Sequence, residues 1–200
     1  MKYRDNIESI GDLKPDYMGF IFYDLSKRNF EGIIPELPKT IKKTGVFVNE
    51  FIEIVVSFIE EYNLEAIQLH GDESVEYIKE LKSHLKPTIE IIKVFGVEDD
   101  FNFEILKPYE ERVDYFLFDT KGKERGGNGV KFDWSVLKEY PYSKPFFLSG
   151  GIGMSDIEQV KKIKESGIPI YAIDVNSKFE SKPGLKSVSL VKKFKKDFIG

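Results

Sequence analysis

DYFLFDTKGKERGGNGVKFDW, residues 114–134, joins a short apolar run to a polar, glycine-rich loop, and its reading decides the fold. Tyr115 to Phe118 has the length and character of a buried strand in a parallel sheet, and it delivers a carboxylate, Asp119, at its C-terminal end. Gly122, Gly126, Gly127 and Gly129 follow. Without a Cβ, such residues let a backbone approach a ligand closely, so a fixed carboxylate beside a glycine loop is a candidate reaction site. The alternative is that Asp119 caps the next segment and the glycines form a surface turn.

Outward from this stretch the same strand-then-helix unit recurs. Strands are predicted at Tyr17 to Tyr23, Thr44 to Val48, Ala66 to Leu69, Ile89 to Phe95, Phe146 to Leu148 and Tyr171 to Ile173. Helices are predicted over Asn6 to Leu13, Pro35 to Ile41, Glu50 to Tyr62, Ser74 to Leu85, Phe101 to Leu106, Trp134 to Tyr140, Ser155 to Ser166 and Leu185 to Lys196. Strands alternating with helices imply parallel βαβ units, in an open doubly wound sheet or a closed (β/α)₈ barrel. Polar residues stand after nearly every strand: Arg28, Asn49, His70, Asp119, Ser149 and Asp174. A ring of parallel strands would gather them at one mouth, which favours the barrel. Seven strands and eight helices, opening on a helix, describe a TIM barrel without its first β-strand, in a single domain spanning residues 1–200.

The last two strand-end loops resemble each other in polarity. Phe146 to Leu148 runs into Ser149, Gly150 and Gly151, and Tyr171 to Ile173 runs into Asp174, Val175, Asn176 and Ser177. In barrels the loops after strands seven and eight commonly hold phosphate, which points to Gly150, Gly151, Asn176 and Ser177 as a phosphate cradle; an ordinary strand-to-helix turn is the other reading.

Composition removes other classes. The chain has 200 residues, a hydrophobic fraction of 41% and an aromatic fraction of 14%, enough for one sizeable core. It contains no cysteine and only His70 and His84, which leaves no thiolate metal site and no histidine-rich cluster. A net charge of −4 argues against a nucleic-acid surface, and no apolar run approaches a membrane span. Without an apolar leader region in MKYRDNIESIGDLK, the expected location is the cytoplasm. The lysine-rich VKKFKKDF reads as the solvated face of a terminal helix.

Six segments, in order, carry a family resemblance: MGFIFYDLSKRNF, TGVFVNE, AIQLHGDES, FLFDTKGKERGGNGVKFDW, FFLSGGI and IDVNSKFESKPGLK. The chain resembles phosphoribosylanthranilate isomerase, the (β/α)₈ enzyme of tryptophan biosynthesis. The resemblance implies an Amadori rearrangement of N-(5′-phosphoribosyl)anthranilate to 1-(2-carboxyphenylamino)-1-deoxyribulose 5-phosphate, with no cofactor and no metal, on a small-molecule phosphosugar. It further implies Asp119 as general acid, Arg28 as the binder of the anthranilate carboxylate, and Gln68 and Gly127 beside the substrate. His70 reads as a loop histidine with its hydrogen bonds satisfied, and Lys178 stands where the family often has glycine.

One departure matters. The family opens with a K-x-C-G strand whose cysteine is the general base, whereas this sequence begins MKY, as though at an internal methionine. The resemblance thus implies impaired turnover, and free strand edges imply a possible homodimer. The competing readings are a non-catalytic phosphosugar-binding protein and another phosphate-binding barrel enzyme, such as an indole-3-glycerol-phosphate synthase relative.

Overall fold

The computed structural model describes residues 1–120 and 132–199. Seven strands form one parallel sheet in sequence order: β1 (Tyr17–Ile21), β2 (Lys42–Phe47), β3 (Ala66–Leu69), β4 (Glu90–Val97), β5 (Tyr115–Thr120), β6 (Phe146–Leu148) and β7 (Ile170–Ile173). Each strand pairs with its sequence neighbours, and β7 is not paired with β1. The curved sheet therefore has an open seam between its first and last strands. Around it lie α1 (Arg4–Gly11), α2 (Ile52–Tyr62), α3 (Val75–His84), α4 (Ile157–Glu165) and α5 (Val188–Ile199), with a small antiparallel hairpin of β8 (Glu180–Lys182) and β9 (Leu185–Lys186).

The alternation of side chains along a strand explains the two cores. Residues of one phase (Phe20, Phe47, Ile67, Phe116, Phe118, Phe146) pack outward against the helices, which contribute Ile7, Val55, Ile78 and Val160. The other phase forms an inner cluster of Ala66, Ile92, Val94, Leu117 and Phe147. Following that inner phase two residues at a time leads from Leu117 to Asp119, from Phe147 to Ser149, and from Ala66 through Gln68 to His70. The polar residues of the mouth thus continue the inner face of each strand.

At the opposite end, tyrosines close the interior. Tyr115 stacks on Tyr171 with ring centroids 4.4 Å apart, and the Tyr17 hydroxyl donates to Glu90 Oε2 at 2.8 Å. Lys42 Nζ bonds the other oxygen of Glu90.

The predicted strands form within a few residues of their expected bounds, but the helices differ. No helix forms over Pro35 to Ile41, where Pro35 and Pro38 punctuate an irregular loop that leads into β2 at Lys42. The segments expected at Phe101 to Leu106 and Trp134 to Tyr140 are 3₁₀ turns, Phe103–Tyr109 and Trp134–Glu139. Among the described residues there are five α-helices and four 3₁₀ helices in place of eight regular helices. The start of the helix expected at Leu185 is instead β9, so α5 begins at Val188.

A buried ion pair fixes the loop after β3. Lys93 Nζ lies 3.0 Å from Glu73 Oε2 and also donates to the carbonyl of Gly71 at 2.8 Å, while Glu73 accepts the backbone N–H of Asn49 and Gly71. Both side chains are almost fully buried, so removing one partner strands a charge in a low-dielectric environment. Glu73→Ala is expected to destabilise the fold by about 3–5 kcal/mol, read as a lower urea midpoint at unchanged slope.

Candidate active site

The C-terminal strand ends open onto one cavity of about 420 Å³. It contains Arg28, Gln68, His70, Asp119, Ser149 and Asp174 together with Gly150, Gly151, Asn176 and Ser177. The structure thus brings together every predicted site residue it describes; Gly127 lies outside the described residues. The cavity also runs sideways through the open seam to Ile10 on α1 and to Phe194 and Phe198 on α5.

Asp119 ends the inner face of β5 and is 9% exposed. Burial, aided by the neighbouring charge of Asp174, pushes its carboxyl up to about 6, against the single stabilising hydrogen bond from Thr120 N to Oδ1 at 2.8 Å. Burial likewise raises Asp174, whose Oδ2 accepts from Ser149 Oγ at 3.2 Å. His70 Nε2 lies 3.6 Å from Asp119 Oδ2. On its other side Gln68 Nε2 approaches His70 Nδ1 at 3.0 Å. With the Gln68 amide nitrogen against Nδ1, it is the other ring nitrogen, Nε2, that faces Asp119. His70 thus stands at the mouth, as its place after β3 predicts, with Gln68 as a hydrogen-bond partner.

Gly150 is required by geometry. Its φ is +92°, and a Cβ there would collide with the Thr120 side chain and lie 2.8 Å from Thr120 N. The loop after β6 consequently lies directly on the end of β5, next to Asp119. Among the described residues, no hydrogen bond engages the backbone N–H of Gly150, Gly151 or Ser177. Gly153 N, by contrast, is taken by Asp156 Oδ2 at 2.7 Å. Three unengaged donors at the ends of adjacent strands suit an anion with several acceptor oxygens.

The loop after β1 is held by Asn29 and Phe30. Asn29 Oδ1 accepts from Tyr23 N at 3.0 Å, and Phe30 N donates to Ile21 O while its ring packs on Phe20. This places Arg28 against Glu180: Nε and Nη2 reach the carboxylate at 2.9 and 2.8 Å. Glu180 also accepts from Lys186 Nζ at 2.8 Å. Sequence reading did not single out Glu180 or Lys186. Their one signal was the Pro183-Gly184 pair, which marks the turn of hairpin β8–β9.

The family model for N-(5′phosphoribosyl)anthranilate (PRA) isomerase matches residues 2–197. The chain belongs to the PRA isomerase family. The N-(5′-phosphoribosyl)anthranilate isomerase of Parabacteroides distasonis is 41% identical, with 97% of this chain and 88% of that protein covered. The crystal structure of the phosphoribosyl anthranilate isomerase from Thermotoga maritima superposes with a TM-score of 0.84 at 30% identity, covering all of this chain and 96% of that one. A second PRA isomerase structure, solved in complex with reduced 1-(o-carboxyphenylamino)-1-deoxyribulose 5-phosphate, gives a TM-score of 0.81 at 28% identity, covering 100% and 95%. The family assigns an isomerase of tryptophan biosynthesis, which removes the indole-3-glycerol-phosphate synthase alternative. No described helix is long and apolar enough to cross a membrane.

The raised carboxyl of Asp119 has a consequence for stability. Below about pH 4 the group is protonated in both folded and unfolded chains and contributes nothing. Between about 4 and 6 the unfolded chain releases the proton first, so stability falls with rising pH, and above 6 the full penalty applies. Asp119→Asn is expected to stabilise the protein at pH 7 by on the order of 2 kcal/mol and to change little at pH 4. Equal melting shifts at both pH values would contradict the assignment.

Proposed function

We propose that the mouth binds N-(5′-phosphoribosyl)anthranilate with its phosphate on Gly150, Gly151, Asn176 and Ser177 and its carboxylate toward Arg28, and that Asp119 is the general acid. The observation that carries this is Asp119 itself: a carboxyl held to about 6 keeps a protonated fraction near neutrality, at the inner end of a rigid strand. Its proton goes to the furanose ring oxygen as the C1′–O bond breaks, and the nitrogen lone pair forms the iminium. Loss of the C2′ proton to a base returns those electrons to nitrogen, giving an enolamine that tautomerises to the ketose. Gln68 and Gly127 complete the substrate contacts in this reading.

We further propose that the seam takes an extended segment preceding Met1, which closes the barrel and carries the base. Several features support this. Phe22 N donates to Val46 O of β2, so on β1 the alternate residues, Gly19 among them, turn their polar groups to the seam. The Met1 amino group already bonds Gly19 O there. As a free amine it is costly, its pKa held down to about 5 by burial and by Lys186; as a peptide N–H it would make the same bond uncharged. A segment joined to it would continue along β1 in parallel. The matched relatives exceed this chain in length, with 88% and 92% of the first two covered. The same free edges are the surfaces through which two copies would pair; one structural neighbour is of generated monomers of an isomerase from Thermotoga maritima that is itself described as dimeric.

Extension with a K-x-C-G strand is expected to raise turnover from near zero, monitored by loss of anthranilate fluorescence, whereas serine in place of that cysteine restores thermal stability alone. In the extended form, Asp119→Asn should lower kcat by two orders of magnitude or more with analogue affinity retained, since general acid catalysis contributes roughly 10²–10⁴-fold. High activity of the 200-residue chain would show that another residue is the base.

A further inference from the structure

Hairpin β8–β9 carries two largely buried charged side chains, Glu180 and Lys186, that the proposed chemistry does not use. Glu180 is nearly buried and its carboxylate gathers Arg28 Nε and Nη2, Lys186 Nζ at 2.8 Å and Gly184 N at 3.1 Å. Burial alone would raise this carboxyl, but Arg28 and Lys186 outweigh it and hold it low. A guanidinium has two donor edges. Glu180 occupies the Nε–Nη2 edge, and among the described residues Nη1 donates to nothing. Lys186 is 11% exposed on its side chain, bonds Asn176 Oδ1 of the loop after β7, and adjoins Asp174, which burial pushes toward its neutral form.

The charge balance explains the third partner. An Arg28–Glu180 pair by itself is neutral and offers a carboxylate no net attraction. Two cations around one buried anion leave one positive charge, and the only guanidinium edge free to express it is the one bearing Nη1. The hairpin is fixed independently of any ligand: Asn6 Nδ2 donates to Lys186 O and Lys186 N to Asn6 Oδ1, both at 2.8 Å.

We propose that Glu180 and Lys186 are positioning and specificity residues for a carboxylate on the aromatic part of the ligand. Glu180 sets the orientation of Arg28, and Lys186 restores the charge that Glu180 neutralises. The inference rests on the ligand class proposed above. Its test uses binding and so does not depend on turnover. Reduced 1-(o-carboxyphenylamino)-1-deoxyribulose 5-phosphate and its counterpart lacking the carboxyl group are titrated into the chain by calorimetry. Lys186→Met is expected to weaken the carboxylated ligand roughly tenfold or more, the effect of losing one charge, and Glu180→Gln to weaken it through the lost orientation of Arg28 despite the added net positive charge, both leaving the carboxyl-free ligand unchanged. Lys186→Arg should retain the preference. Equal weakening of both ligands would mean a purely structural role and overturns the proposal, as would unchanged affinity for both. If Glu180→Gln fails to fold, Lys186→Met, which exchanges a buried ammonium for an apolar chain of similar length, decides alone. A parent chain that binds neither ligand refutes the ligand class itself, and one that binds both equally refutes the Arg28 contact.

Discussion

The ion pair between Arg28 and Glu180 spans the one place where the sheet is not continuous. Arg28 belongs to the loop after β1 and Glu180 to the hairpin after β7, so their two short bonds tie the first strand's mouth to the last strand's mouth across the seam. Desolvating two charges is expensive, and such a pair is stable only where further hydrogen bonds satisfy the remaining donors and acceptors. Lys186 and Gly184 N supply them for Glu180. Other ties across the seam are also made by side chains: Asn6 to the backbone of Lys186, and Lys195 Nζ to the carbonyls of Leu13 and Lys14 at 2.6 and 2.7 Å. The backbone ladder that joins every other pair of strands is replaced here by long polar side chains.

The mouth is divided electrostatically. On the side of β5 and β7, burial raises the carboxyls of both Asp119 and Asp174, and the charge of Asp174 adds to the rise at Asp119. On the side of the β1 loop and the hairpin, Arg28 and Lys186 hold a surplus of positive charge around Glu180. Among the described residues no cation offsets the rise at Asp119, whereas Arg28 and Lys186 hold the Glu180 carboxyl low against its burial. The arrangement is destabilising at Asp119, where a folded-state penalty persists at neutral pH, and the buried Lys93–Glu73 pair anchors the neighbouring loop that carries His70.

How far the sequence discloses this follows from the range of each interaction. The strands were legible because short apolar runs between polar clusters are local, and Ala66–Leu69 and Phe146–Leu148 form with their expected bounds. Asp119, His70 and Ser149 could be gathered from their position after those runs, since a parallel ring puts all such ends together. Pro35 and Pro38 prevent a helix over Pro35 to Ile41, and Phe103–Tyr109 winds as a 3₁₀ turn with Pro108 inside it. Hairpin β8–β9 escaped because its purpose is long-range: Glu180 meets a residue 152 positions earlier, and no periodicity reports that. Only the approach of His70 to Asp119, on another strand, is long-range in the same way.

The two edges of the seam are not equivalent, and this bears on what can close it. On β1, Ile21 O is taken by Phe30 N and Gly19 O by the Met1 amino group, so part of that edge is already satisfied by the chain's own loop and terminus. On β7, Asp174 N donates to Leu148 O, which turns Ile173, one residue earlier, toward the seam with no comparable partner among the described residues. Below it Tyr171 is 47% exposed and stacks on Tyr115 at the closed end of the interior. A segment entering the seam therefore gains its new backbone bonds mostly from β7, and gains its apolar contacts from Ile10, Phe194 and Phe198 behind it. A second molecule presenting an unrelated strand would have to displace Met1 before it could pair with both edges.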